Sequence, residues 1–230
     1  MKPLSKIVWI FLFAVAMGYL ESAVVVYLRA IYYPDGFTFP LKVMSQTLAI
    51  TEMYREAATL VMLIAIGIMS SKHRLHRFAW FLIVFAIWDI AYYVFLKALL
   101  NWPDSFLTTD ILFLLPCIWT GPVIAPVINS LNMILLAVSI LHTRKGNRPT
   151  FHLSGKIWAL LIVGCLLILV AYTKDFAGFA LDKLNTHPLQ GMSRDTYIGI
   201  LTSEFMPRSF SWFIFSAGVS MHLVAVYLVF

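Results

Sequence analysis

Charge is what this sequence has least of. Asp, Glu, Lys and Arg together make up 12% of its 230 residues, about half the share found in an ordinary soluble domain. So few charges could not cover the surface of a water-exposed globule, and that class is excluded. Cysteine is nearly absent as well. Cys117 and Cys165 both sit in apolar runs, and two thiols so placed exclude a disulfide framework and read as buried free thiols. The glycine patterns that cradle nucleotides, G-x-G-x-x-G and the Walker loop, are missing, and so are the H-E-x-x-H zinc motif and the G-x-S-x-G nucleophile turn. The chain therefore carries no haem, nucleotide or zinc signature, and no Ser/His/Asp set falls in one membrane layer.

What the chain does have is apolar length. Hydrophobic residues reach 61% and mean hydropathy is +0.85. Six segments approach the roughly 20 apolar residues that a bilayer crossing needs: Ile7–Leu28, Leu48–Ser70, Phe78–Leu100, Asp110–His142, Ile157–Tyr172 and Ser209–Phe230. The expected fold is all-α, a polytopic transmembrane bundle of about six helices forming one integral membrane domain over residues 1–230. The opening MKPLSK and the run after it resemble a signal peptide. No small-residue cleavage site follows, however, and the apolar run continues through Glu21 to Tyr27, so it reads as a retained first span.

Basic residues separate the two faces. Lys2 and Lys6, then Lys72, Arg74 and Arg77, then Arg144, Lys145, Arg148 and Lys156 fall on alternate connections that hold no acidic residue. The positive-inside rule makes that face cytoplasmic, with both termini on it, and places the protein in the cell membrane. The formal charge of +6 then reflects topology and contact with anionic lipid, and nucleic-acid binding is not expected. All 11 acidic residues lie in the outer loops or within the spans. In the outer loop from about Thr173 to Arg208, SRDTYIGILTSEFMP has the pattern of a short amphipathic helix. Its Tyr197, Ile198, Leu201 and Phe205 would face lipid at the membrane surface, or protein in a lid packed on the helix ends.

The fourth segment is too long for one crossing. Asp110 to His142 would extend about 50 Å as a straight helix, against a hydrocarbon core of about 30 Å. Its middle, LLPCIWTGPVIAPVINS, brings Pro116, Gly121, Pro122 and Pro126 close together, so a kink or break at Gly121–Pro122 is expected. Either a half-helix capped by Thr109 or Asp110 dips in and a full span follows from Pro122, or one kinked helix projects beyond the membrane. In both cases Gly121–Pro122 should face the bundle interior, where irregular backbone is tolerated.

The few charges inside the spans are not scattered at random. Glu52, Arg55 and Glu56 stand at i, i+3 and i+4 on one helical face. Glu21 with Arg29 in the first span, Asp89 with Lys97 in the third, and Asp110 at the start of the fourth fall at comparable depths in the outer half of the membrane. Charges there are costly, about 2.5–3.5 kcal/mol each on the insertion scale, so they should face inward and pair. Glu21, Glu52, Arg55, Glu56 and Asp89 are the candidate ligand- or ion-binding residues, with Lys97 and Asp110 at the mouth. The acids outnumber Arg29, Arg55 and Lys97, which leaves one or two carboxylates to hold a proton or a cation. Oxygen-only donors suit hard ions. The histidines lie mostly in loops or at helix ends, except His222, which is expected to be hydrogen-bonded within the bundle. Ion pairs that fix helix packing without any ligand are the equal alternative for the same pattern: Arg55 with Glu21 or Glu52, and Lys97 with Asp89 or Asp110.

Gly18 and Ser22 in GYLESA have the small-xxx-small spacing of close helix packing. The tryptophans read first as interface anchors, although Trp88, Tyr92, Tyr93 and Trp119 would also suit the wall of a lipid or quinone pocket. The strings GYLESAVVVYLRAIYYPDGFTFPL, REAATLVML, WDIAYYVFLK and DILFLLPCIWTGPVIAP together resemble an uncharacterised group of small bacterial polytopic membrane proteins. The resemblance covers most of the first four spans and implies no activity. Three roles fit these residues: binding or moving a cation, proton or small solute; catalysis on a lipid or quinone with one carboxylic acid as general acid; and a structural or assembly role in a membrane complex.

Overall fold

The computed structural model describes residues 3–142, 152–186 and 194–229. Seven helices and two short strands follow in the order α1 (Pro3–Tyr32), α2 (Gln46–Ser70), α3 (Arg74–Leu100), β1 (Thr109–Phe113), β2 (Trp119–Pro122), α4 (Ile124–His142), α5 (Gly155–Thr186), α6 (Arg194–Glu204) and α7 (Trp212–Val229). Six of these, all but α6, are long and apolar enough to cross a membrane, and the molecule is an all-α, multi-pass bundle. Ser45 caps α2 by accepting from the Leu48 N–H, and Ser154 does the same for Ile157 at the start of α5. At the C-terminus of α3, Asn101 takes the left-handed conformation at φ 50°, which a short polar side chain tolerates better than most.

α3 is the hub, packed against α1, α2 and α4, while α7 lies against α4 and pairs with α5. Lys6 of α1 lies over the Trp80 ring, Trp158 of α5 meets Phe78, and Val229 shares a core with Ala79, Ile140 and Ile157. These contacts put the start of α1, α3 and α5 and the end of α4 and α7 at one end of the bundle, called here the basic end. The other is the hairpin end. Near the basic end, Ala79, Leu136, Ile140, Leu161 and Ala225 are buried together from four helices. Two close approaches hold the bundle tight. A Cβ on Gly18 would lie 2.7 Å from the Ala91 Cβ, and one on Gly218 would lie 2.7 Å from the Gly164 carbonyl oxygen. Ser22, fully buried, donates to the Gly18 carbonyl, with the Tyr92 carbonyl 3.0 Å away. The small-residue spacing in α1 thus marks its seam with α3.

Four sequence expectations change. The piece before the fourth span is a β-hairpin, not a half-helix, and Thr109 and Asp110 are its first strand instead of a helix cap. The strands are antiparallel, with Asp110 opposite Gly121 and Ile111 opposite Thr120, and the register shifts between Ile111 and Phe113. The reason is local: Pro116 and Pro122 donate no backbone hydrogen bond, whereas Thr109, Ile111, Phe113, Trp119 and Thr120 suit extended backbone. The fourth crossing is then Ile124–His142 alone, with Pro126 in its first turn, where a missing N–H does no harm. α1 continues past Leu28 to Tyr32. α5 runs on past Tyr172 to Thr186, about 48 Å at 1.5 Å per residue, so much of the expected outer loop is helix.

α6 forms within the stretch that reads as amphipathic, and its surroundings favour the lid over the lipid-facing helix. Phe205, just beyond it, is fully buried among Phe39, Phe176 and Phe179. The buried Tyr197 hydroxyl reaches the Ala180 carbonyl, and Glu204 pairs with Lys183. Ile198 remains exposed. Lys2, Arg144, Lys145 and Arg148 of the basic connections, Ser193, and Phe230 of the last expected span lie outside the described residues.

Candidate functional site: a carboxylate-lined cavity

A cavity of about 490 Å³ runs through the bundle from the hairpin end, between α1, α2, α3, the hairpin, α4 and α5. Each wall follows from helix periodicity. On α5, Leu161, Cys165, Ile168, Leu169 and Tyr172 all line it, as positions i, i+4, i+7, i+8 and i+11 of one face must. On α2 the lining residues are Glu52, Arg55 and Glu56. Six of the seven sequence candidates, Glu21, Glu52, Arg55, Glu56, Asp89 and Asp110, therefore meet at one space. Lys97 does not. It is exposed, and its Nζ donates to the Asn101 and Pro103 carbonyls at 3.2 and 3.0 Å, closing the C-terminus of α3.

The charged groups divide into two kinds. Arg55 bridges α2 to α1: it pairs with Glu21, and its Nε donates to Glu52 at 2.8 Å. Thr59 donates to the other oxygen of Glu21 at 3.3 Å. Arg29 lies 3.6 Å from Asp110, and the Tyr93 hydroxyl reaches the same carboxylate at 3.4 Å. The Arg29 guanidinium also stands 3.8 Å from the centre of the Trp102 ring and 4.7 Å from that of Phe37, favourable ground for a cation. These two ion pairs bracket the site. At its rim, burial raises the Tyr33 phenol above its usual range, against the opposing pull of the Lys42 N–H and Arg29, and Tyr33 accepts the Lys42 N–H at 2.8 Å.

Glu56 and Asp89 are different. Among the described residues neither has a Lys or Arg nitrogen within salt-bridge reach. Both oxygens of Glu56 face the Leu114 N–H, at 3.1 and 2.9 Å. Glu56 lies about 15 Å along α2 from Gln46, so the turn of the hairpin reaches deep into the bundle, where a backbone donor needs a protein partner. Asp89 accepts the Ser130 hydroxyl at 2.7 Å, and its second oxygen has no donor among the described residues.

Sequence reasoning passed over the polar run Asn129, Ser130, Asn132 on α4. Asn129 donates to the Tyr172 hydroxyl at 3.1 Å. Asn132 is 3% exposed and lines the cavity, and among the described residues neither its Nδ2 nor its Oδ1 has a partner; the buried Nε1 atoms of Trp88 and Trp119 have none there either. Three polar residues within four positions of an apolar helix were the available signal. Trp88, Tyr92, Tyr93 and Trp119 all line the cavity, with Trp119 stacked on Tyr172, so Trp88 and Trp119 are interior residues and not interface anchors. His222 meets the expectation for a bundle histidine: its Nε2 donates to the Leu161 carbonyl at 3.0 Å, with the Cys165 Sγ 3.6 Å away. Among the described residues, no three of His, Cys, Asp and Glu converge in a manner that would hold a metal ion.

Comparison with known proteins brings no relative to this site: no family model, no curated protein and no solved structure matches the chain.

Proposed function

We propose that the protein takes a positively charged species, a proton, a cation or a charged small solute, into this cavity and holds it or moves it toward the opposite side of the membrane. One observation carries the reading: Glu56 and Asp89 face a common space inside an apolar bundle without a basic partner among the described residues. A carboxylate at such depth is tolerated when something neutralises it, and its residence in a spanning helix points to function by default. The basic connections support an orientation with both termini in the cytoplasm and the hairpin end outside, in the cell membrane.

A second reading, an enzyme acting on a lipid or quinone with one of these acids as general acid, draws support from the aromatic walls. Cys165 supports it as well, being exposed while lining the cavity, which suits entry from the side. A purely structural role accounts for the Arg55 and Arg29 pairs and for the Glu56 contact with the Leu114 N–H, but gives no reason for two carboxylates without a basic partner among the described residues. The test is binding of protons, sodium, potassium and a small organic ammonium in turn by purified protein beside Glu56→Gln and Asp89→Asn, which keep shape. Wild type is expected to bind and both variants to bind less. Absence of binding by wild type at every accessible pH defeats the proposal.

A further inference from the structure

The cavity's size and walls narrow what its positive charge belongs to. A bare hard cation is held by about six or more oxygens brought within roughly 2–2.6 Å of one point. Here the acids are dispersed. Glu21 and Glu52 are committed to Arg55, Asp110 faces Arg29, and Glu56 holds the Leu114 N–H with both oxygens. Asp89 has no Lys or Arg within salt-bridge reach and keeps an oxygen free of protein donors among the described residues. The space in front of it, about 490 Å³, is of the order that small organic ligands occupy, apolar with a few placed polar groups.

Two further observations describe the ligand independently of the acids. Phe85, Trp88, Phe113, Trp119 and Tyr172 supply aromatic walls, which attract an organic cation through their ring faces and cover an apolar body. Asn132, buried and lining the cavity, presents a donor and an acceptor with no partner among the described residues, an arrangement that is unfavourable until a ligand completes it.

Building on the reading that the cavity takes a positive charge, we propose that its ligand is an amphiphilic organic ammonium, a protonated amine on an apolar, aromatic-compatible body, with Asp89 as counter-ion and the Asn132 amide as its neutral hydrogen-bonding partner. The carboxylate selects the charge, and the aromatic walls select the body.

The experiment uses the full chain in lipid nanodiscs and titration calorimetry with 4-phenylbutylammonium, its neutral isostere 4-phenylbutanol, and sodium and potassium chloride. The ammonium is expected to bind at least about tenfold more tightly than the alcohol, since a charge-assisted bond is lost in the latter. Asp89→Asn in the same lipid removes that difference while leaving the alcohol unchanged, which separates site binding from partition into lipid. Asn132→Leu is expected to weaken the ammonium about fivefold or more, the worth of one hydrogen bond, and serves as the second variant should Asp89→Asn fail to fold. Equal affinity for ammonium and alcohol overturns the proposal, and so does absence of ammonium binding. In the latter case, binding of sodium, potassium or protons leaves the broader cation reading standing, whereas failure of every probe defeats both.

Discussion

The two ends of the bundle solve the same problem, holding helices together without a water-driven core, by opposite means. Near the basic end the solution is contact. Ala79, Leu136, Ile140, Ile157 and Ala225 fill the space between four helices, and the packing continues to the middle of the bundle, where Gly164 and Gly218 let α5 and α7 touch backbone to backbone. Dispersion and close packing are what association in lipid rests on. At the hairpin end the helices stand apart around a cavity, and bonds bridge the gap: Arg55 to Glu21 and Glu52, Arg29 to Asp110, Glu56 to the Leu114 N–H. The difference teaches which end is built for stability and which for a guest. Packing alone would have closed the hairpin end with apolar side chains, as it did at the other.

This contrast can be broken in graded steps. Arg55→Gln should have the largest effect, because it leaves Glu21 and Glu52 facing each other without a cation; removing one partner of a buried ion pair typically costs about 3–5 kcal/mol. Unfolding in mixed detergent–SDS micelles measures it, and a loss under 1 kcal/mol would mean that the bracket does not hold α1 to α2. Gly164→Ala probes the packed seam between α5 and α7. Its new Cβ would lie about as close as 2.5 Å to the His222 ring and 2.9 Å to the Gly218 carbonyl, so overpacking of about 1–3 kcal/mol is expected. Combined with Arg55→Gln, the two losses should add to within about 0.5 kcal/mol, because sites with no shared partner act independently. Strong coupling would show that the ends are not separate solutions. Glu56→Gln should be smallest, about 1 kcal/mol or less, since an amide oxygen still accepts the Leu114 N–H. Glu56→Leu orphans that donor and should cost about 1–3 kcal/mol.

The spans were legible because hydropathy over some twenty residues admits few alternatives. The hairpin was not. DILFLLPCIWTGP is apolar on both faces, so it lacks the alternation that marks a half-buried strand, and its prolines argue against helix without arguing for sheet. The extension of α5 was missed for the reverse reason: Lys174, Asp175 and Lys183 end an apolar run but do not end a helix. The acids of the site announced themselves through scarcity, since a charge in a span needs an explanation. Asn129, Ser130 and Asn132 did not, because neutral polar side chains in spanning helices often bond to their own backbone, as Ser139 does to the Leu135 carbonyl. Depth along the spans brought Glu21, Arg55 and Glu56 to one level, with Asp89 somewhat nearer the cytoplasmic side and Lys97 nearer the mouth, but the carbonyls after α3 that take up Lys97 could not be read from depth.

The central claim is that the hairpin end keeps buried polar groups for a ligand at the expense of the empty fold. Asn132 states it most sharply, since none of the described residues satisfies its amide. The direct measurement is the unfolding free energy of ligand-free Asn132→Leu against wild type. The account predicts a gain of about 1–3 kcal/mol, the relief of a buried unsatisfied polar group. An equal or lower stability would contradict it, for Asn132 would then be serving the fold.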